Sequence, residues 1–185
     1  MSRIPLINRD DLSPEHQAIA DRMSSGRGGS GTLGGVFRAL LNSPKAADRV
    51  SEVGIFVRFH SSIPDALREL LIITTAREIG CQYEFAAHAR IAKDVGVSDD
   101  VVEAVRNGSA PAGLEGDDAI VVSYAQELLR NHRVSDDTFS AMQSRFNNET
   151  LTDITVCIGY YTMLGFFLVS MEVDLESTMT PLLPQ

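Results

Sequence analysis

The chain has 185 residues, 44% hydrophobic and 22% charged, with a formal net charge of -9, a size that suits one domain with a buried core. The acidic balance excludes a nucleic-acid partner, because phosphate-backbone binding needs clustered Lys and Arg, and leaves no basic helix for an anionic membrane surface. With two cysteines, Cys81 and Cys157, there is no disulfide framework, and with no cationic-then-apolar leader the cytoplasm is the expected compartment.

Ser13-Pro14-Glu15 predicts a helix start, with a capping hydroxyl, a first-turn proline and an acid near the positive end. That helix runs to about Met23. Ser24 to Gly35 follows with six glycines and reads as a flexible loop. Gly29, Gly31 and Gly34 have G-x-G-x-x-G spacing, but no strand precedes them, so a dinucleotide site is not expected. Val36–Leu41 is a short apolar helix closed near Asn42-Ser43-Pro44. Over Ala46–His60, Val50, Val53, Gly54 and Val57 recur with a helical period.

Ser61 to Pro64 breaks that helix and starts the next, Asp65–Ile79. Its residues are apolar nearly all round, which places it at the centre of the fold. Gly80 and Gly96 are expected caps around a helix from Cys81 to Asp94. Ser98 caps a helix to Arg106, Asn107–Gly116 is a loop, and Asp117–Asn131 and Ser135–Arg145 are helical. Thr150-x-x-Asp153 resembles a capping box before the most apolar run, Ile154–Val169. At 16 residues this run falls short of the ~20 needed to span a bilayer, and reads as a core or subunit-interface helix. No strand alternation is present, so the fold class is all-α, a single domain of about eight helices. Residues 1–35 form an N-terminal helix and glycine-rich loop, 36–176 the helical body, and 177–185 an extended tail.

Cys81, Glu84 and His88 stand at i, i+3 and i+7 of one helix, a spacing that shares a face. Glu69, twelve residues before Cys81, meets them if the two helices fold back on each other. A carboxylate one turn from an imidazole holds it in one tautomer, and a held His moves protons near neutral pH. The alternative is a surface ion pair of little consequence; Tyr83, Phe85, Ala86, Ala87 and Ile91 around the pair argue for burial. Cys81 is open to two readings, a thiol activated by the helix dipole or a small buried apolar residue. Cys157 reads as core. Arg77, two turns after Glu69, is a candidate grip for a substrate carboxylate, and Tyr83 a candidate substrate contact. His16, His60 and His132 read as helix-end residues. No His, Cys and Asp set has zinc spacing, so no metal is expected.

At these residues the chain resembles the carboxymuconolactone decarboxylase family, which includes alkyl hydroperoxidase D. The matching pieces are VFRALLNSP, LRELLIITTAREIG, CQYEFAAHARIAKDVGVSDD and GYYTMLGFFL, and the central pattern is E-x11-C-x2-E-x3-H. The resemblance implies an alkyl hydroperoxidase D-like helical fold, a homo-oligomer (dimer, trimer or hexamer) and chemistry on a small molecule without a cofactor. The hydroperoxidase branch looks like E-x11-C-x2-C-x3-H; Glu69, Cys81 and His88 fall on its glutamate, first cysteine and histidine, and Glu84 stands where its second cysteine would be. The decarboxylase branch is similar in carrying E-x3-H. The resemblance therefore implies a lyase acting on a small carboxylated lactone or related acid. His88 is then the acid/base and Glu84 orients it, while Glu69 assists and Arg77 binds a carboxylate. A thiol-dependent peroxidase using Cys81 and a non-catalytic oligomer that binds a small acid are the alternatives.

Overall fold

Nine α-helices and one 3-10 turn, Arg9–Asp11, make up a computed structural model that describes residues 2–26 and 33–184, and no strand is present among those residues. The helices are α1 (Pro14–Ser25), α2 (Gly35–Leu40), α3 (Pro44–Phe59), α4 (Asp65–Glu78), α5 (Gln82–Asp94), α6 (Asp99–Asn107), α7 (Gly116–Asn131), α8 (Asp136–Arg145) and α9 (Asn148–Ser170). Half of the glycine-rich stretch, residues 27–32, with Gly29 and Gly31 of its G-x-G-x-x-G spacing, lies outside the described residues.

Local chemistry sets most helix ends. Pro14 and Pro44 occupy first-turn positions, where a missing N–H costs nothing. The side chains of Ser98, Ser135 and Asn147 accept from the backbone N–H of Val101, Thr138 and Thr150, each satisfying one orphan donor. Ser13 makes no such side-chain bond. His60 and His132 are the C-caps of α3 and α7.

α4 is the axis of the molecule. Each residue from Leu67 to Ala76 is buried, and α4 packs against α5, α6, α7 and α9. Burying each large aliphatic side chain stabilises the fold by roughly 1.5–3 kcal/mol. A second, smaller core joins α1 to the start of α3 through Ile19, Ala20, Met23, Leu41 and Ala47.

Two expectations are corrected here. Thr150 and Asp153 do not box the start of α9, which begins two residues before Thr150. Both side chains instead receive Ser62: its hydroxyl lies 2.9 Å from each, and its N–H donates to Asp153 at 2.7 Å. That ties the α3–α4 turn to α9. On α3 the inward stripe is Ala47, Ser51, Gly54 and Val57, while Val53 is exposed.

Candidate active site

The α4–α5 turn decides what meets what. Gly80 takes a left-handed backbone, φ +68°, which glycine adopts without a Cβ penalty. The Cys81 N–H then donates to the Ala76 carbonyl at 2.8 Å and the Gly80 N–H to Arg77 at 3.2 Å, the pair of bonds of a Schellman close. The turn reverses the chain in three residues and lays α5 back along α4. Glu69 and His88, 19 residues apart, are brought together by it.

His88 Nδ1 lies 2.6 Å from Glu69 Oε2, and its Nε2 lies 3.5 Å from Glu84 Oε2. Glu69 is 0% exposed, Glu84 4% and His88 5%. Two buried carboxylates therefore flank one buried imidazole. With Nδ1–H donating to Glu69, Nε2 is the nitrogen left toward Glu84. The other oxygen of Glu69, Oε1, stands 3.7 Å from Arg68 Nε, and Arg68 Nη1 donates to Asp65 at 2.8 Å. A charge buried this deeply needs such neighbours, since an unpaired one is severely destabilising. The Tyr161 ring stands edge-on to the imidazole, centroids 5.2 Å apart at 83°, and Tyr160 packs edge-on against Tyr161. Together they fix the plane of His88.

Glu84 and His88 line a cavity of about 280 Å³. Arg58, Tyr83, Tyr161 and Glu176 add polar atoms to its wall, and Phe37, Ile91, Leu164 and Met179 are among its apolar residues. Glu176, after α9, accepts from the Tyr83 hydroxyl at 2.7 Å and from the Gly35 N–H at 2.5 Å, so one carboxylate ties the segment after α9 to α5 and α2. Burial pushes the Glu84 carboxyl above its usual range; His88 and Arg58 pull it back down, and Glu69 adds to the rise. Burial also raises the hydroxyls of Tyr161 and Tyr83, the latter reinforced by Glu176. Among the described residues no group of three or more His, Cys, Asp and Glu is placed to hold a metal ion.

Residues 44–124, which span α3 through the first half of α7, match the carboxymuconolactone decarboxylase family. The match covers 81 of the 185 residues. No curated protein matches the sequence significantly. Among solved structures, an uncharacterized peroxidase-related protein of Ralstonia eutropha JMP134 with an alkylhydroperoxidase AhpD core has a TM-score of 0.80. It is 17% identical, with 95% of this chain and 93% of that one covered. A peroxidase-related protein of Silicibacter sp. TM1040 has a TM-score of 0.76 at 14% identity, covering 95% and 92%. The debrominase Bmp8 has a TM-score of 0.73 at 16% identity, covering 92% and 90%; it has also been solved with 2,3,4-tribromopyrrole bound. At these identities the likeness is one of fold.

The matched segment holds Glu69, Cys81, Glu84 and His88, but only three of the four converge. Cys81 is the N-cap of α5, with an extended backbone (φ -83°, ψ 95°), so the i, i+3, i+7 rule of a helix does not reach it. Its side chain lies under α9, where a Cβ on Gly165 would touch it at 3.3 Å, and it does not line the cavity. Burial pushes its thiol up to about 11, against the pull of the Glu84 and Tyr83 backbone N–H groups; a dipole-lowered pKa is not what this position produces. Cys157 is also buried, and both thiols are free. Arg77 is elsewhere too: its Nε donates to the Arg106 carbonyl at 2.9 Å, closing the end of α6 as a cation does well. Tyr83 does reach the cavity. The orienting carboxylate is Glu69 rather than Glu84, because Glu69 holds the short bond to the imidazole. Arg58, Tyr161 and Glu176 went unpredicted. For Arg58 a signal existed: it stands one turn beyond Gly54 and two beyond Ser51, both on the buried stripe of α3.

Proposed function

We propose that this chain is a lyase of the carboxymuconolactone decarboxylase type, acting by acid–base catalysis on a small carboxylated lactone or related acid. The observation that carries the reading is the imidazole held between two buried carboxylates at the wall of a cavity. Glu69 fixes His88 through Nδ1 and leaves Nε2 to exchange a proton at the cavity side. Glu84, with its pKa raised, is the proton reservoir beside it. As the carbon–carboxyl bond breaks, its electron pair passes into the conjugated ring as an enolate. The proton from the His88–Glu84 pair then closes the new C–H bond, and carbon dioxide leaves. Each of these groups belongs to the protein, so no cofactor enters the scheme. A cavity of about 280 Å³ suits a substrate with one small ring, and the debrominase solved with a bromopyrrole supports the idea that this fold takes such a ring.

His88→Ala tests the reading on muconolactone-type acids. Turnover should fall by about 10²–10⁴-fold, the usual weight of a positioned general acid–base, with the fold unchanged by circular dichroism. Equal turnover removes His88 from the chemistry.

Thiol-dependent peroxidase chemistry at Cys81 draws support from the peroxidase-related neighbours but not from the geometry, since the thiol is buried, raised in pKa and outside the cavity. We further propose that the chain works in the cytoplasm, where two free thiols persist, and as a homo-oligomer. α3 exposes Val53, Phe56 and Phe59, and α9 exposes Val156, Met163, Phe166 and Val169; a second copy is the natural cover for apolar surface on two packed helices.

A further inference from the structure

The geometry points to Arg58 as the anchor for a carboxylate on the substrate. It is the penultimate residue of α3 and shares the cavity with Glu84 and His88. Its Nε is buried and has no hydrogen-bond partner among the described residues. Its guanidinium rests over the Phe59 ring, 5.4 Å from the centroid, a contact that orients the plane and satisfies none of the N–H donors.

Arg68 Nε and Glu69 Oε1 are buried without a hydrogen bond as well, but neither residue lines the cavity, and the other charged groups nearby each hold at least one partner. Glu69 has His88, Glu176 has Tyr83 and Gly35, and Arg68 has Asp65. Arg77 is bonded to a backbone carbonyl on α6. A buried guanidinium N–H without an acceptor is costly, and a planar fork of donors matches a carboxylate in bidentate fashion. An acid entering the cavity must also pass Glu84 and Glu176, and among the described residues Arg58 is the cavity cation placed to offset them. A carboxylate so paired is stabilised in the ground state, so it serves as a handle and not as the group that leaves.

The inference rests on reading this cavity as the substrate site, but its test does not depend on turnover. Titrate the full chain by calorimetry with furoate, a ring acid of suitable size, and with its neutral amide, furamide. Wild type should bind furoate about ten- to a hundredfold more tightly than furamide. Arg58→Gln should remove that preference by weakening furoate alone. Arg58→Lys should restore part of it, because the charge returns without the fork. His88→Ala should keep the preference, which separates this claim from the lyase reading. Furoate affinity unchanged in Arg58→Gln, or a wild type that does not favour the acid, overturns the proposal. If Arg58→Gln does not fold, Arg58→Lys decides, and furoate binding equal to wild type counts against the fork.

Discussion

Glu84 is a buried carboxyl whose environment opposes its charge. Burial raises its pKa above the unfolded value, so between those two values the native chain holds more protons than the unfolded one. Stability is then fully present below the ordinary carboxylate range and is lost as pH rises through the folded pKa. Glu84→Gln removes the ionisable group and should flatten that loss. The check is the free energy of urea unfolding for both proteins from pH 4 to pH 8. Across the window between the two pKa values the gap should widen in favour of the glutamine variant, by at most about 1.4 kcal/mol per pH unit. Parallel curves would show that Glu84 titrates as if exposed. At this scale the sequence is partly legible. The E-x3-H spacing places Glu84 beside His88, but which carboxylate holds the ring depends on a hairpin angle that spacing cannot supply. Arg58 continues the buried stripe of α3, but a lone arginine near a helix end reads first as a solvated cap.

Element by element, the punctuation of the chain is plain. Prolines, serines and glycines mark most ends of α3 to α8 within a residue or two, and α4, apolar over much of its surface, stands at the centre as its composition implies. The failures come where two elements share residues. Cys81 ends the close of α4 and caps α5 at once, so its direction follows the turn and not the helix. Thr150 and Asp153 have capping chemistry but spend it on Ser62. The same crowded junction yields a prediction. A Cβ on Gly165 of α9 would collide with the Ile79 side chain and press on Cys81. Gly165→Ala should therefore destabilise the protein by about 1–3 kcal/mol in urea unfolding, the usual cost of overpacking. A neutral or stabilising effect would mean that α9 stands further from the α4–α5 turn.

At the scale of the whole molecule, α9 is the ambiguous part. Its 23 residues are long and apolar enough to cross a membrane, yet half of its most apolar window is buried inside the protein. The remainder includes Phe166, 59% exposed. Packing in the core accounts for the first half, and the proposed subunit interface would cover the second. Light scattering after size exclusion should return a mass above 20.1 kDa, and Phe166→Glu should shift it toward the monomer, since an unpaired charge in an interface is strongly unfavourable. A wild-type monomer would leave the apolar face without its proposed cover.

The central claim is that the protein delivers a proton from His88, braced by Glu69, to the carbon that loses carbon dioxide. The most direct measurement is turnover of a muconolactone-type acid in deuterium oxide, with the configuration of the labelled carbon read by NMR, for wild type, Cys81→Ser and His88→Ala. The account predicts deuterium on one face of that carbon, at full rate in Cys81→Ser and about 10²-fold slower or worse in His88→Ala. A racemic label, or activity lost with Cys81 and kept without His88, would contradict it.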